Sequence, residues 1–316
     1  MPPDSRAADS RLPILVVGTG AMACLFSARF AAAGFPVTIL GTWADGLQAL
    51  RQLGVRVVDD DGQERLYPVR VIADPTSCTG FRFALVLVKS WQTARSARQL
   101  AQCLDPDGLA LTLQNGLGNR EQLAQVLGDE RVALGVTTAG ATLLGPGRVH
   151  PVGEALVTLS AHPRLSPLAD MLESAGFIIE TVSDPTALLW GKLVINAAIN
   201  PLTALLGVLN GELLVRPSAR LLMQSLALEA AAVAEAWGVH LPYPDPLAAA
   251  EAVARRTAGN RSSMLQDVQR RAPTEIEAIC GAIVQAGDEV SVPVPVNRTV
   301  LHLVKALAVE GADSEP

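Results

Sequence analysis

Three polar side chains interrupt a markedly apolar segment of the chain, which runs from Trp190 to Leu206. Lys192, Asn196 and Asn200 are each one helical turn apart, so on a helix they fall within roughly an 80° arc of one face. A buried polar group without a partner costs about 1–3 kcal/mol. Neighbouring backbone can satisfy one such residue, but three in register favour a face that lines a wet cleft and binds a small anionic ligand. Pro201 lacks a backbone N–H, so we expect it to kink this helix.

A turn near the N-terminus contains the second group of candidate residues. The apolar run Leu12–Val17 predicts a buried strand, a helical pattern begins at Cys24, and Val37–Leu40 predicts a second strand. This order is the context that a dinucleotide-binding fingerprint requires, although a tight turn without a ligand has the same pattern. The first glycine permits the turn, the second lets a pyrophosphate approach the helix N-terminus, and alanine at the third position allows close packing. The predicted cofactor-binding turn comprises Gly18, Thr19, Gly20, Ala21, Met22 and Ala23.

Polar residues also follow two later predicted strands. The strand Ala84–Val88 is followed by Lys89, and the strand Leu109–Leu113 by Asn115. Ligands of open α/β sheets bind at the carboxyl ends of parallel strands, so both side chains are candidate ligand contacts. The alternatives are a solvated loop cation for Lys89 and a turn-forming residue for Asn115.

Two further hairpins are predicted in this half of the chain. The acidic run Asp59–Asp61 lies in the turn of the first hairpin, and we interpret it as a solvated turn rather than a metal site. His150 lies in the second, and we interpret it as a structural histidine rather than a ligand contact. The predicted hairpins pair Val55–Val58 with Arg65–Val71 and Val149–His150 with Ala155–Leu159.

The pattern changes at about Asp184, where strand signals stop and helical periodicity begins. We therefore predict an α/β protein with a Rossmann-type doubly wound sheet in residues 1–184, of which 1–11 form a disordered tail. Residues 185–316 are predicted to form an all-α substrate-binding and catalytic domain. Its predicted helices are Ala187–Leu206, Pro217–Trp237, Asp245–Thr257, Ser263–Arg270 and Thr274–Ala286.

Composition excludes several classes of function. The 316 residues carry a net charge of −6 with dispersed basic residues, which argues against a nucleic-acid-binding protein. The apolar runs are interrupted by Gly, Pro or polar residues, so we expect neither a signal peptide nor a membrane span. The 4 cysteines are far apart and lack metal-ligand spacing. We therefore expect reduced thiols, no bound metal and a cytoplasmic protein.

The predicted helical domain holds a second concentration of polar residues between Asn260 and Ile279. Ser262 or Ser263 can cap a helix, and Glu275 is well placed near the positive end of the next one. Asn210, in the sequence LNGEL, is by default a turn residue. From the sequence alone, each of these residues can have either this structural role or a role in binding a ligand.

In this order the candidate residues resemble the ketopantoate reductases (2-dehydropantoate 2-reductases). The resemblance extends from about Ile14 to Leu303 and is carried by the runs GTGAMA, VKSWQ, LQNGLG, WGKLVINAAINPLTAL, NGEL, SSMLQDV and TEIEAI. It implies an NADPH-dependent oxidoreductase that reduces the 2-oxo acid ketopantoate to (R)-pantoate, a step of pantothenate and coenzyme A synthesis. A small-molecule substrate and a monomer or homodimer are expected.

The resemblance also implies roles for individual residues. Lys192 takes the position of the proton donor, with Glu275 as its catalytic partner. The positions that contact substrate correspond to Asn115, Asn196, Asn200, Asn210 and Ser263. Besides the glycine turn, the positions that contact the cofactor correspond to Lys89, Asn115, Ala141 and Glu275.

One departure and three alternatives remain. Thr42 stands near the position where these enzymes often carry an arginine for the 2′-phosphate, which leaves NADH possible as the cofactor. The alternative enzymes are a related reductase of another 2-oxo acid and an opine-type dehydrogenase that condenses a keto acid with an amine. A non-catalytic NADP-binding protein is the third. The Lys192 and Glu275 pair argues against it, because a binding module needs no proton donor.

Overall fold

The computed structural model describes residues 12–307, so the predicted tail at 1–11 lies outside the described residues. The chain divides into two compact units. Within the described residues, the first contains 12–88, Gln92–Gln114 and Asn119–Ser183. The second contains 184–307 together with two short earlier segments, Lys89–Trp91 and Asn115–Gly118.

The first unit is an α/β structure. In chain order it contains β1 (Ile14–Val17), α1 (Ala21–Ala32), β2 (Val37–Leu40), α2 (Ala44–Leu53), β3 (Val55–Val58), β4 (Glu64–Tyr67), β5 (Arg70–Ile72), β6 (Phe81–Val86), α3 (Thr93–Cys103), β7 (Leu104–Thr112), α4 (Asn119–Leu127), β8 (Val132–Thr137), β9 (Gly140–Gly145), β10 (Arg148–Val152), β11 (Leu156–Ser160), α5 (Ser166–Ser174) and β12 (Ile178–Val182).

An eight-stranded sheet of order β12-β11-β8-β7-β6-β1-β2-β5 forms the centre of this unit. Six neighbouring strands of this sheet are parallel, namely β8, β7, β6, β1, β2 and β5. The next strand, β11, is antiparallel to β8. The chain runs outward from β1 to β2 and β5 and then returns to β6 on the other side of β1. This reversal is the switch point at which doubly wound sheets bind ligands. The predicted Rossmann-type fold is confirmed.

The central strands of this sheet are buried on both faces because their side chains are almost all apolar. β1 is completely buried along ILVV, as expected for a central parallel strand. On α1, Phe26 and Phe30 are fully buried, and the Phe26 ring stacks on Phe177 with centroids 4.2 Å apart. α1 begins at Ala21, earlier than predicted, because Gly20 already serves as the extended residue that precedes the helix.

A second sheet of order β4-β3-β10-β9 corrects both predicted hairpins. Of the predicted partner segment Arg65–Val71, only the part within β4 (Glu64–Tyr67) pairs with β3, and Arg70–Ile72 joins the large sheet beside β2 instead. Pro68 separates the two pieces and has no N–H for either ladder. The second predicted hairpin is wrong because β10 pairs with β9, whereas β11 pairs with β8 and β12. Gly153, at φ +76°, turns the chain between them.

Up to residue 307, the regular elements of the second unit are all helices, as predicted. Its long helices surround α6, whose Leu193, Val194 and Ala197 are buried. α6 runs through Pro201 to Leu206 and ends at Gly207, which adopts the left-handed conformation. The helices are α6 (Thr186–Leu206), α7 (Pro217–Ala236), α8 (Pro246–Arg256), α9 (Ser263–Gln269), α10 (Ala282–Glu289) and α11 (Pro295–Leu307).

Two features of this unit were not predicted. The chain from Glu277 to Gly281 forms a π-helix that leads into α10, where the periodicity predicted one regular helix. α11 was missed altogether. It begins at Pro295, a favoured first residue of a helix, and Glu229 accepts hydrogen bonds from the N–H groups of Val296 and Asn297, both at 2.8 Å.

Among the described residues, one helix, α6, is long and apolar enough to cross a membrane by length and composition. Of its most apolar stretch, 67% is buried inside the protein. Core helices of globular proteins share these properties.

Candidate active site

The predicted cofactor turn lies in the first unit, between β1 and α1. Gly18 has φ +127°, and its N–H donates to the Leu40 carbonyl at 2.8 Å. A Cβ here would lie 3.1 Å from the Leu87 carbonyl oxygen, so glycine is required both by backbone conformation and by space. Ala23 is fully buried, which explains why the third position of the fingerprint must be small.

Gly20 differs from Gly18 in its backbone conformation and in its surroundings. It precedes α1 with φ −80°, and a Cβ built on it meets no atom within 4 Å in the described structure. Gly20 has no side chain that could cap the first turn of α1. The described structure thus leaves open space at Gly20, at the positive end of a twelve-residue helix. These features fit a dinucleotide pyrophosphate.

Three other residues singled out from the sequence also lie in the first unit. Ala141 is on β9, opposite Pro151, and packs against the core that contains Ala23. Thr42 is partly buried between β2 and α2. The Nδ1 of His150 lies 3.0 Å from the Val58 carbonyl oxygen, a contact that fits the structural interpretation of this histidine.

The polar face of α6 lies in the second unit. Lys192 and Asn196 are partly buried, and Asn200 is 8% exposed. Burial lowers the pKa of Lys192 to about 8, although the negative charge of Glu275 opposes that shift. An amine with a pKa near neutrality can hold and release a proton under physiological conditions.

Close packing fixes the backbone next to Lys192. A Cβ on Gly191 would lie 2.8 Å from both Cδ and Cγ of Pro242. The Tyr243 hydroxyl donates to the Gly191 carbonyl at 2.7 Å. Together these contacts hold the helical turn that carries the amine.

Replacing Gly191 with alanine is therefore expected to lower the free energy of unfolding by about 1–3 kcal/mol, because a rigid proline ring cannot yield to the added methyl. Urea denaturation would measure the change. The matched control is Gly259→Ala, where a Cβ meets nothing within 4 Å. Equal stability of the two variants would contradict the packing argument.

Helix α9 joins α6 through two hydroxyl groups. The Thr203 hydroxyl lies 2.7 Å from the Ser262 hydroxyl, and the Ser262 oxygen also accepts a hydrogen bond from the Leu265 N–H at 3.1 Å. Ser262 is thus the residue that caps α9, and Ser263 is the first residue of the helix proper. The structural interpretation applies to Ser262 and leaves the partly buried Ser263 as the candidate ligand contact.

Asn210 begins a 3₁₀ helix and is 7% exposed. The Thr257 hydroxyl donates to the Val253 carbonyl at 2.8 Å, so it can only accept from the Asn210 Nδ2, which lies 2.9 Å away. This fixes the orientation of the amide. Within the described residues the buried Asn210 Oδ1 then has no hydrogen-bond partner. Such an acceptor favours a donor on a ligand, because leaving it unpaired costs about 1–3 kcal/mol.

A charge cluster in the second unit brings together three of the remaining candidates. Lys89 Nζ lies 2.6 Å from Asp267 Oδ2 and 3.5 Å from Glu275 Oε2. Glu275 is 5% exposed and also accepts from the Ser90 N–H at 3.2 Å and from Asn115 Nδ2 at 3.4 Å. Burial alone would lower the pKa of Lys89, but the carboxylates of Glu275 and Asp267 outweigh it and raise that pKa.

A tight contact between the residues that follow Asn115 and the π-helix fixes the position of Asn115. Gly116, at φ +86°, lies so close to Ala278 that any side chain would collide with the Ala278 carbonyl. That carbonyl also accepts the Leu117 N–H at 3.4 Å. The structure thus brings Lys89, Asn115 and Glu275 together, and the charge of Glu275 reaches Lys192 as well.

Sequence reasoning missed Asp267, which is 2% exposed. Its Oδ1 accepts from Arg270 Nη2 at 3.1 Å, while its Oδ2 accepts from Lys89. One signal was available: Asp267 follows Ser263 by one helical turn and so shares its face of α9. The partner, 178 residues away, carried no local signal.

Two family profiles match most of the chain. The profile described as "Ketopantoate reductase PanE/ApbA" matches residues 14–164, and "Ketopantoate reductase PanE/ApbA C terminal" matches residues 185–308. A protein of Halobacterium salinarum named 2-dehydropantoate 2-reductase is 34% identical over 303 residues, which cover 94% of this chain and 99% of that protein.

Solved structures agree. The PanE/ApbA family ketopantoate reductase from Ralstonia eutropha JMP134 matches with a TM-score of 0.86 at 30% identity, covering 94% of this chain and 98% of that one. A D-mandelate dehydrogenase, solved with NADH and anilino(oxo)acetate, matches with a TM-score of 0.87 and the same coverage. At 24% identity the dehydrogenase is evidence for the fold alone.

Proposed function

The chain belongs to the ketopantoate reductase family of NAD(P)H-dependent oxidoreductases, and we propose that it reduces 2-dehydropantoate (ketopantoate) to (R)-pantoate with NADPH. The single observation that carries the proposal is the face of α6. There a partly buried lysine, under the influence of the negative charge of Glu275, is followed at helical intervals by two amides. We further propose a cytoplasmic enzyme, active as a monomer or homodimer.

Lys192 is the proposed proton donor. A bound nicotinamide supplies hydride to the ketone carbon of the substrate. As the carbonyl bond is reduced, negative charge develops on its oxygen, and the Lys192 ammonium stabilises that charge and then transfers its proton to the oxygen. Glu275 keeps the amine protonated, because its negative charge opposes the effect of burial on the pKa of Lys192.

Four side chains of the second unit are proposed to hold the substrate. Asn196 and Asn200 lie one and two turns beyond Lys192, and Ser263 would bind the carboxylate at the start of α9. Ketopantoate also carries a terminal hydroxyl group, and the buried acceptor of Asn210 would suit that donor. A fixed orientation makes the transfer effectively unimolecular.

The cofactor is proposed to lie on the turn Gly18–Ala23, with Ala141 as a further contact. Open space at Gly20 and the uncapped start of α1 support a pyrophosphate there. Lys89, Asn115 and Glu275 would touch the nicotinamide half. Thr42 offers the 2′-phosphate no charge, so NADH should be measured beside NADPH.

The pH dependence of the reaction follows from Lys192. Reduction requires the ammonium, so kcat/KM for ketopantoate should be constant at low pH and fall as pH rises through about 8. Oxidation of pantoate requires the neutral amine and should rise through the same value. Steady-state profiles in both directions would measure this. If the two limbs failed to mirror each other, Lys192 would not be the titrating group.

A panel of 2-oxo acids assayed with NADPH and with NADH tests the proposed function. We expect kcat/KM for ketopantoate to exceed that for the other acids clearly. Preference for a different acid would assign the chain to a related reductase, and NADPH oxidation that requires an amine would indicate an opine-type dehydrogenase. Tight cofactor binding without turnover of any acid would leave a binding protein and contradict the proposal.

A further inference from the structure

We propose that Asp267 is a positioning residue, which neutralises Lys89 and thereby leaves the Glu275 carboxylate to hold the proton on Lys192. The inference rests on the proposed role of Lys192 as proton donor. It concerns a carboxylate for which neither the sequence pattern nor the proposed function supplies a role.

The Lys89 ammonium lies closer to one of its two acidic partners than to the other. It is 2.6 Å from Asp267 and 3.5 Å from Glu275. The shorter contact is a charge-assisted hydrogen bond, whereas the longer one is mainly electrostatic. Both carboxylates are buried, at 2% and 6% side-chain exposure, so neither charge is screened well by solvent.

Arg270 holds Asp267 in place for this task. It binds Oδ1 at 3.1 Å, so Oδ2 is directed to Lys89. The backbone carbonyl of Asp267 also accepts the Arg270 and Ala272 N–H groups, at 3.1 and 2.9 Å. Contacts at the end of α9 therefore fix the position of Asp267 independently of Lys89.

Glu275 is the group for which two cations compete. It accepts hydrogen bonds from the Ser90 N–H and the Asn115 amide. Its charge helps to raise the pKa of Lys89, and it opposes the larger effect of burial, which lowers the pKa of Lys192. Without Asp267, the Lys89 ammonium would turn to Glu275 as its one remaining acidic partner in the cluster. The charge of Glu275 would then be offset, and the proton on Lys192 would be held less firmly.

The charged and titratable groups that set this charge balance come from four places in the second unit. Lys192 is on α6, Asp267 and its partner Arg270 are on and just after α9, Glu275 precedes the π-helix, and Lys89 is in the segment Lys89–Trp91. Tyr243 donates its hydroxyl to the backbone beside Lys192, and burial raises the pKa of that phenol. It remains neutral and does not enter the balance.

The chain has only three lysines, at positions 89, 192 and 305, which permits a direct test. Protein labelled with ¹³C at the lysine ε-carbon gives three signals, assigned by single substitutions and titrated with pH. In Asp267→Asn, an isosteric change, we expect the midpoint of Lys192 to fall by about half a pH unit. In Lys89→Met it should rise, because Glu275 loses its competing cation.

Asp288→Asn is the matched control, because Asp288 pairs with Arg298 at 2.6 Å on the exposed surface. It should leave the Lys192 midpoint unchanged. A purely structural role of Asp267 would lower the melting temperature without moving that midpoint. If Asp267→Asn does not fold, Lys89→Met carries the test with its opposite sign. An unmoved Lys192 midpoint in the variants that fold would overturn the inference.

Kinetics separate this inference from the proposed function. If ketopantoate is a substrate, the alkaline limb of kcat/KM should move to lower pH in Asp267→Asn and to higher pH in Lys89→Met. If no 2-oxo acid is turned over, the proposed function fails, but the titration of the lysine signals still decides whether Asp267 controls the charge at Lys192.

Discussion

Replacing Lys192 with alanine is expected to lower kcat for keto acid reduction by about 10²–10⁴, the range for loss of a general acid. The amine both stabilises the developing charge on the oxygen and provides the proton, so its loss acts on the transition state. Substrate affinity should change less than kcat, since Asn196, Asn200 and Ser263 remain. Stopped-flow absorbance of the reduced nicotinamide under single-turnover conditions would measure the chemical step.

Lys305→Ala is the matched control for this variant, because Lys305 forms a surface ion pair with Glu277. Its activity should equal that of the wild type. Cofactor affinity should be nearly unchanged in Lys192→Ala, which shows that the fold and the cofactor site are intact. Wild-type turnover by Lys192→Ala would remove the proposed mechanism.

Replacing Gly20 with valine is expected to weaken cofactor binding by roughly 10²-fold, or about 2.8 kcal/mol, with little change in fold stability. The valine side chain would enter space that is open in the protein but that the bound pyrophosphate is proposed to occupy. Gly20 has φ −80°, which valine can adopt. The loss of stability should be about 1 kcal/mol or less, since Gly20 only precedes the helix. Isothermal titration with NADP⁺ and NAD⁺ would give both dissociation constants.

Gly145→Val is the matched control for the cofactor site. A Cβ at Gly145 also meets nothing within 4 Å, but this residue lies at the end of β9, where no ligand is proposed. Its cofactor affinity should equal that of the wild type. Unchanged affinity in Gly20→Val would place the pyrophosphate elsewhere.

Local patterns predicted the parts of the structure that depend on neighbours in sequence. The apolar strand β1, the glycine turn and the start of α1 follow one another directly, so the sequence alone predicts a strand–turn–helix unit there. The face of α6 was predicted for the same reason, because helical geometry alone aligns Lys192, Asn196 and Asn200.

Features that depend on distant partners could not be predicted in this way. Arg70–Ile72 has the composition of a strand, but only the free edge of β2 explains why it leaves the hairpin. The π-helix Glu277–Gly281 is stabilised partly by Leu117, whose N–H binds the Ala278 carbonyl. Asp267 was missed because an acidic residue in a helix is usually exposed, and only the structure shows that this one is buried beside Lys89.

A crystal structure of the ternary complex with NADP⁺ and pantoate would decide whether Lys192 is the proton donor. We expect Lys192 Nζ to lie about 3 Å from the C2 hydroxyl oxygen of pantoate, as proton transfer requires. The Asn196 and Asn200 amides should contact the same molecule. Pantoate bound away from this face of α6, or a face of α6 covered by protein while the product lies elsewhere, would show that Lys192 is not the proton donor.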